Sequence, residues 1–197
     1  MNNEAIRVSE SYNEIIDIVR NFIWQLMHHR ALMKVIGEND RGFWRLASSN
    51  SYDLTIIEWC KIFGSYSENT HWTKIFHDEN DFRDCIYRSV QMTKDQWDAY
   101  HHDLTDYRNK WIGHFNSEFK PDSHPDIEPA FKSILTCYNY LLKKMTEYNI
   151  EHNLPDSLIQ YSKALKGQAI LVIESAYNSA KHIEYSYRSD NITFRST

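Results

Sequence analysis

Arg108 and His114 are the two residues of this sequence whose types and spacing best suit chemistry, and the polar Asn109 directly follows the arginine. A guanidinium binds a phosphate or a carboxylate through two parallel hydrogen bonds. An imidazole takes up or releases a proton near neutral pH. A substrate or partner chain that reached both groups would therefore meet a fixed positive charge and a titratable group together.

One uninterrupted α-helix over residues 94–116 is predicted to carry these groups. Thr93 and Gln96 give a capping-box start, and no proline interrupts the residues that follow, so the helix has about six turns. At about 100° per residue, its apolar face comprises Trp97, Tyr100, Leu104, Trp111 and Phe115, with Tyr107 and Ile112 at the margins. We predict that this face is buried. The arginine and the histidine, about 120° and about 9 Å apart, are expected on its opposite edges with Trp111 between them.

The composition favours long helices with few connections. The 197 residues are 42% hydrophobic and 25% charged, and they include only five glycines and four prolines. Sheet proteins need many turns, which so few glycines and prolines do not provide. We therefore predict an all-α, up-and-down bundle of about five or six helices.

Helical periodicity predicts one domain over residues 1–185 and a polar tail over 186–197. Its core is expected over about 10–150, followed by a C-terminal helix. The helices are predicted at about 11–36, 43–63, 78–92, 94–116, 127–148 and 156–183, with a short helix or turn at 70–76. Residues 48–51 have poor helix propensity and predict a kink or break in the second helix. The irregular connection at 115–128 could cover the candidate site.

Charge and cysteine content limit the classes of partner and the compartment. The net charge of -5 argues against broad, nonspecific capture of nucleic acid, so any RNA site must be local. The three cysteines are far apart and suit a reducing compartment. The N-terminal residues lack the pattern of a signal peptide, and no apolar stretch approaches the length of a membrane span. We therefore expect a cytoplasmic protein that does not enter a membrane.

The segment from Arg108 to His114 resembles the Arg-x(4–6)-His motif of HEPN domains, all-helical proteins that include many toxin and phage-defence ribonucleases. Residues 57–65, which read Ile-Glu-Trp-Cys-Lys-Ile-Phe-Gly-Ser, and the pair His71 and Trp72 resemble a stretch of the abortive-infection branch. The resemblance covers roughly residues 10–150. His71 on its own is predicted to be a capping or hydrogen-bonded structural residue.

The resemblance implies a metal-independent RNA endonuclease that needs no cofactor. It makes His114 a general base or acid, Arg108 a phosphate clamp, and Asn109 the residue that orients the histidine or the phosphate. One histidine per chain is too few for both proton transfers, so a homodimer with two motifs face to face is expected across this helix. The products would carry 2′,3′-cyclic phosphate and 5′-hydroxyl ends. A cognate antitoxin is a possible partner.

The sequence departs from the family at one position. Some HEPN toxins carry a tyrosine two residues after the histidine, which an antitoxin modifies, whereas this chain has Asn116 there. Control by that modification is therefore not expected.

Two other interpretations remain open. The first is a noncatalytic homodimeric module that binds a protein or a nucleotide, which suits the acidic, aromatic-rich composition equally well. The second is a metal site formed by Asp98, His102 and Asp106, which lie four residues apart along one stripe of the predicted helix. Because that stripe lies opposite much of the apolar face, simple exposure to solvent is the commoner outcome.

Overall fold

The computed structural model describes residues 3–37, 42–76, 78–113 and 124–189. Its elements, in chain order, are α1 (Asn3–Ile36), α2 (Phe43–Phe63), α3 (Trp72–Ile75), α4 (Glu79–Val90), α5 (Lys94–Tyr107), a π-helical turn (Arg108–Ile112), α6 (Glu128–Glu147) and α7 (Leu158–Ser189). Across these ranges every regular element is helical, and seven are α-helices when the four-residue α3 is counted. The predicted all-α class is confirmed.

Helix α1 occupies the middle of the bundle and packs most extensively on α2 and α7. The fully buried side chains that join these helices into one core are large and apolar. They include Phe22, Ile23 and Leu26 of α1, Ile56, Trp59 and Phe63 of α2, Phe82 of α4, Leu104 of α5, and Ile134 and Leu141 of α6. The buried Trp59 indole donates a hydrogen bond to Ser133 Oγ at 2.9 Å, so its polar atom is satisfied within the core.

The second helix is α-helical without interruption through residues 48–51, so the predicted break is absent. Serine weakens a helix when its hydroxyl competes for the local backbone. Here the buried Ser48 hydroxyl instead lies 3.0 Å from His29 Nδ1 on α1. A contact between helices therefore removes the competition that the sequence pattern indicated.

Helix α7 packs on α1 through a separate apolar cluster. Ala31 and Leu32 of α1 meet Ala169 and Ile173 of α7, and the two small alanines allow a close approach. The helix reaches Ser189, beyond the predicted end near residue 183, so part of the predicted polar tail is helical. The remainder of that tail lies outside the described residues.

Two local features fix the start of α5, which carries the candidate site. Helix α4 ends with Gln91 in the left-handed conformation at φ 60°. The predicted capping box at Thr93 and Gln96 is confirmed, because each side chain accepts from the other residue's backbone N–H. No helix in the described ranges is long and apolar enough to cross a membrane.

Candidate functional site

The helix that carries Arg108 changes type at that residue. The α-helical pattern ends at Tyr107, and Gly113 N–H donates to the Arg108 carbonyl at 2.8 Å, an i to i+5 hydrogen bond. The prediction of one uninterrupted α-helix to residue 116 is therefore wrong. A Cβ at Gly113 would lie 3.2 Å from the Arg108 carbonyl oxygen, so this turn leaves little room for a larger residue. Single π-helical turns occur frequently at functional sites.

The π-helical turn also changes which side chains are buried. An i to i+5 turn holds one residue more than an α-turn and rotates the residues after it by about 100°. Trp97, Leu104 and Tyr107 are buried as the α-helical face predicts, whereas Trp111 is 47% exposed. The expectation that Trp111 lies in the core between the two site residues is therefore wrong. Phe115, predicted on the same face, lies outside the described residues.

Arg108 is half-buried, and its guanidinium lies beside the Cys60 thiol of α2. Burial raises the pKa of that thiol to about 11, although the neighbouring guanidinium opposes the shift. Cys60 is therefore a neutral thiol at physiological pH and does not neutralise the arginine. Arg108 Nε is buried and has no hydrogen-bond partner among the residues that the structure describes.

The aspartates near Arg108 on the same helix do not pair with it. Asp106 accepts from Lys110 Nζ at 2.5 Å and lies 3.4 Å from His102 Nε2. The hydrogen bond from Lys110, with the smaller effect of His102, holds the pKa of Asp106 below its usual range. Within the part of the chain that the structure describes, no carboxylate lies within 4.0 Å of the Arg108 guanidinium.

Of the other two predicted site residues, Asn109 lies within the described part of the chain and His114 does not. Asn109 is exposed on the π-helical turn next to Arg108, where its amide is accessible to a ligand. His114 lies outside the described residues, so its position relative to Arg108 stays a prediction. The same holds for residues 115–123 of the connection that was expected to cover the site.

A hydrogen-bonded chain that the sequence did not predict lies directly before Arg108. The buried Tyr107 hydroxyl donates to Asp53 Oδ1 at 3.0 Å and lies 2.8 Å from His124 Nδ1. Since its only proton goes to the carboxylate, the hydroxyl oxygen must accept from His124 Nδ1–H. In the tautomer that this hydrogen bond selects, Nε2 carries no proton and is an acceptor.

The surroundings hold this chain in place. The exposed His124 ring packs against Tyr52 of α2, with 5.0 Å between ring centroids. Burial raises the pKa of Asp53, against the lowering effects of the Tyr107 hydrogen bond and of His124. The only sequence signal for His124 was its place in the irregular connection after the motif.

The proposed metal stripe on α5 consists of ion pairs. Asp98 lies 3.4 Å from Lys94, and Asp106 is held by Lys110 and His102. Among the side chains that the structure describes, no group of three or more His, Cys, Asp or Glu could hold a metal ion. The stripe is therefore a solvated face of the helix.

Comparison of the chain with protein-family models, with curated proteins and with solved structures gives no significant match.

Proposed function

We propose that this protein is a metal-independent RNA endonuclease of the toxin or phage-defence type, with Arg108 as its phosphate clamp. The observation that carries the proposal is that Arg108, at the start of a π-helical turn, pairs with no carboxylate of the described residues. A half-buried guanidinium that has no carboxylate partner among the described residues can bind an anion without first breaking an ion pair. A phosphodiester is an anion whose two non-bridging oxygens match the guanidinium geometry.

Cleavage requires two proton transfers around this clamp. A general base removes the proton of the ribose 2′-hydroxyl, whose oxygen bonds to phosphorus while the bond from phosphorus to the 5′-oxygen breaks. A general acid then protonates the leaving 5′-oxygen, which gives 2′,3′-cyclic phosphate and 5′-hydroxyl ends. Arg108 stabilises the charge on the phosphorane between these steps. Neither step needs a cofactor.

His114 and His124 are the proposed proton-transfer residues. His114 takes this role from the resemblance to HEPN domains, with Asn109 orienting the histidine or the phosphate. His124 is our second candidate, supported by its hydrogen bond to Tyr107, which in turn binds Asp53, and by the exposure of the residue. One subunit would then carry two histidines for the two proton transfers.

A homodimer across the π-helical turn is part of the proposal. Trp111 leaves a large aromatic side chain exposed beside Arg108 and Asn109, and such residues are enriched at interfaces. A seam there would bring the sites of two subunits together. A cognate antitoxin that covers this surface would silence the enzyme.

Induced expression in a bacterial host tests the proposal. We expect growth arrest and RNA fragments with cyclic phosphate ends for the wild type, and neither for Arg108→Ala or His114→Ala. Arg108→Lys keeps the charge but not the two-pronged geometry, so it should retain only a small part of the activity. Arg20→Ala, which removes an exposed arginine of α1, is the matched control and should behave as the wild type. Equal arrest by wild type and Arg108→Ala would contradict the assignment.

The second candidate is a noncatalytic homodimeric module that binds a protein or a nucleotide. The exposed Trp111 supports such a module as much as it supports a dimeric enzyme. A stable dimer that cuts no RNA in any of these cultures would select this alternative.

A further inference from the structure

A second candidate site lies on the other half of α5, away from Arg108. A cavity of about 210 Å³ opens between the C-terminal end of α2, α3, α4 and the first half of α5. Its α5 residues, Trp97, Asp98 and His101, precede Arg108 by seven or more positions, which is about 10 Å or more along the helix, and the Asp98 carboxylate lies 3.4 Å from Lys94. The cavity is therefore separate from the proposed cleavage site.

The walls of the cavity are mainly aromatic. Trp72, Trp97, Phe63 and Tyr66 line it. Pockets for drug-sized ligands have volumes of roughly 300–1,000 Å³. This cavity therefore fits a smaller, flat group that stacks on aromatic side chains.

His71 supplies a hydrogen-bond donor within these walls. It is only 3% exposed, and its Nδ1 accepts from the Thr73 backbone N–H, so the predicted capping role is confirmed. Burial lowers its pKa to about 4, so the ring is neutral at physiological pH. With Nδ1 accepting, the ring proton must be on Nε2. That N–H has no hydrogen-bond partner among the described residues.

His101 supplies the matching acceptor. Its Nε2 lies 2.5 Å from the Phe63 carbonyl oxygen, which can only accept, so the proton is on Nε2. In the neutral ring, Nδ1 is then an acceptor, and it has no partner in the described part of the chain. Two imidazoles of the cavity lining thus carry one donor and one acceptor that have no partner among the described residues.

Arg83 adds a cation at the lining of the cavity. Its guanidinium lies 5.4 Å from the Trp72 ring centroid and 3.6 Å from Glu79, in a partly exposed pair that is weak in solvent. The cation is therefore available to an anionic group attached to a stacked ring.

We propose that this cavity binds a nucleobase, with Arg83 contacting the attached phosphate. Nucleobases combine a flat aromatic face with donors and acceptors on one edge, and proteins hold them by stacking plus edge hydrogen bonds. The base comes either from a free nucleotide or from an unpaired position of RNA. The binding does not depend on the proposed cleavage, since none of its residues belongs to the Arg108 site.

Calorimetric titration of the full chain with nucleoside monophosphates, ribose 5-phosphate and a short single-stranded RNA tests this proposal. The Arg108→Ala variant is used throughout so that RNA stays intact. Binding of a monophosphate identifies a free nucleotide as ligand, and binding of RNA alone identifies an unpaired base. Ribose 5-phosphate, which lacks the base, should not bind. Equal binding of ribose 5-phosphate and the monophosphates, or binding of no probe, would overturn the proposal.

Variants locate the binding in the cavity. Trp72→Leu removes a stacking surface and should weaken binding by about tenfold or more. Tyr66→Ser also removes a stacking surface and should also weaken binding. Because Tyr66 is exposed, loss of the fold is not expected in this variant. Arg83→Ala should weaken binding of monophosphates but not of nucleosides, whereas Arg88→Ala, on the same helix but outside the cavity lining, should change neither. Unchanged affinity in both Trp72→Leu and Tyr66→Ser would overturn the proposal, whatever the outcome of the cleavage assays.

Discussion

Arg108 is held in a setting that lowers the stability of the fold. A buried polar atom without a hydrogen bond costs about 1–3 kcal/mol, and Arg108 Nε is such an atom. Structural residues seldom retain this cost, whereas residues that await a ligand do.

We therefore predict that Arg108→Met leaves the free energy of unfolding unchanged or raises it by about 1 kcal/mol, while cleavage is lost. Urea denaturation of the two proteins measures the difference, and Arg20→Met provides the control at an exposed arginine. A loss of more than about 2 kcal/mol in Arg108→Met alone would assign the arginine to the fold.

The hydroxyl of Tyr107 links Asp53 to His124, so Tyr107→Phe removes both hydrogen bonds and leaves the ring in place. We predict a loss of about 1 kcal/mol in stability and a changed pH profile of cleavage, because His124 is no longer held in one tautomer. Tyr138→Phe is matched to it, since it loses a comparable hydrogen bond to the Pro155 carbonyl far from the site. An identical pH profile in Tyr107→Phe and the wild type would remove His124 from the mechanism.

His71 makes stability depend on pH. Its pKa is lowered from 6.5 to about 4 in the folded chain, so between these values the unfolded state binds more protons. Stability is therefore fully present above pH 6.5 and is lost as the pH falls toward 4. His71→Asn keeps a capping side chain but cannot take up this proton. Between pH 7 and pH 4 its free energy of unfolding should therefore fall by less than that of the wild type, with a difference on the order of 2 kcal/mol. Urea titrations at both pH values measure this, and equal losses in the two proteins would contradict the assignment.

At the scale of elements, local patterns predicted most helices. The capping box of α5 and the cap at His71 each follow from a side chain at the start of the helix. The bounds of α2 coincide instead with Gly42 and Gly64, which flank it. The π-helical turn has no such signal, because an i to i+5 hydrogen bond needs no special residue at its start. Because the sequence does not predict that turn, it does not predict the exposure of Trp111 that follows from the turn.

The exposed Trp111 leads to a prediction about assembly. If the π-helical turn forms a dimer seam, Trp111→Ser should shift the protein toward the monomer by tenfold or more in dissociation constant, as expected for a central aromatic contact of about 2 kcal/mol. Leu46→Ser, at another exposed apolar residue, should leave the dissociation constant unchanged. Analytical ultracentrifugation measures the dissociation constants of both variants. Dissociation by Leu46→Ser and not by Trp111→Ser would place the seam elsewhere.

At the scale of the whole molecule, packing brings together residues that no sequence window contains. Arg108 and Asn109 could be predicted as site residues because they belong to one short motif. Asp53 and His124 were not, since they are 54 and 17 residues from Tyr107 and meet only when α2, α5 and the connection before α6 pack. A hydrophobic pattern predicts that helices pack, but not which polar side chains meet between them.

The acidic character of the molecule limits how RNA would be bound under the proposed function. A net charge of -5 does not favour long-range attraction of RNA, so the proposal requires binding through a few local cations such as Arg108. Only a few phosphates are then neutralised, so binding is expected to depend weakly on salt.

The most direct test of the central claim uses purified protein and two oligonucleotides of one sequence in the presence of a metal chelator, one with ribose and one with deoxyribose at every position. We predict cleavage of the ribose strand alone, with 2′,3′-cyclic phosphate and 5′-hydroxyl ends, and no cleavage by Arg108→Ala. Equal cleavage of both strands, or ends that carry 3′-hydroxyl and 5′-phosphate groups, would contradict attack by the 2′-hydroxyl and with it the proposed mechanism.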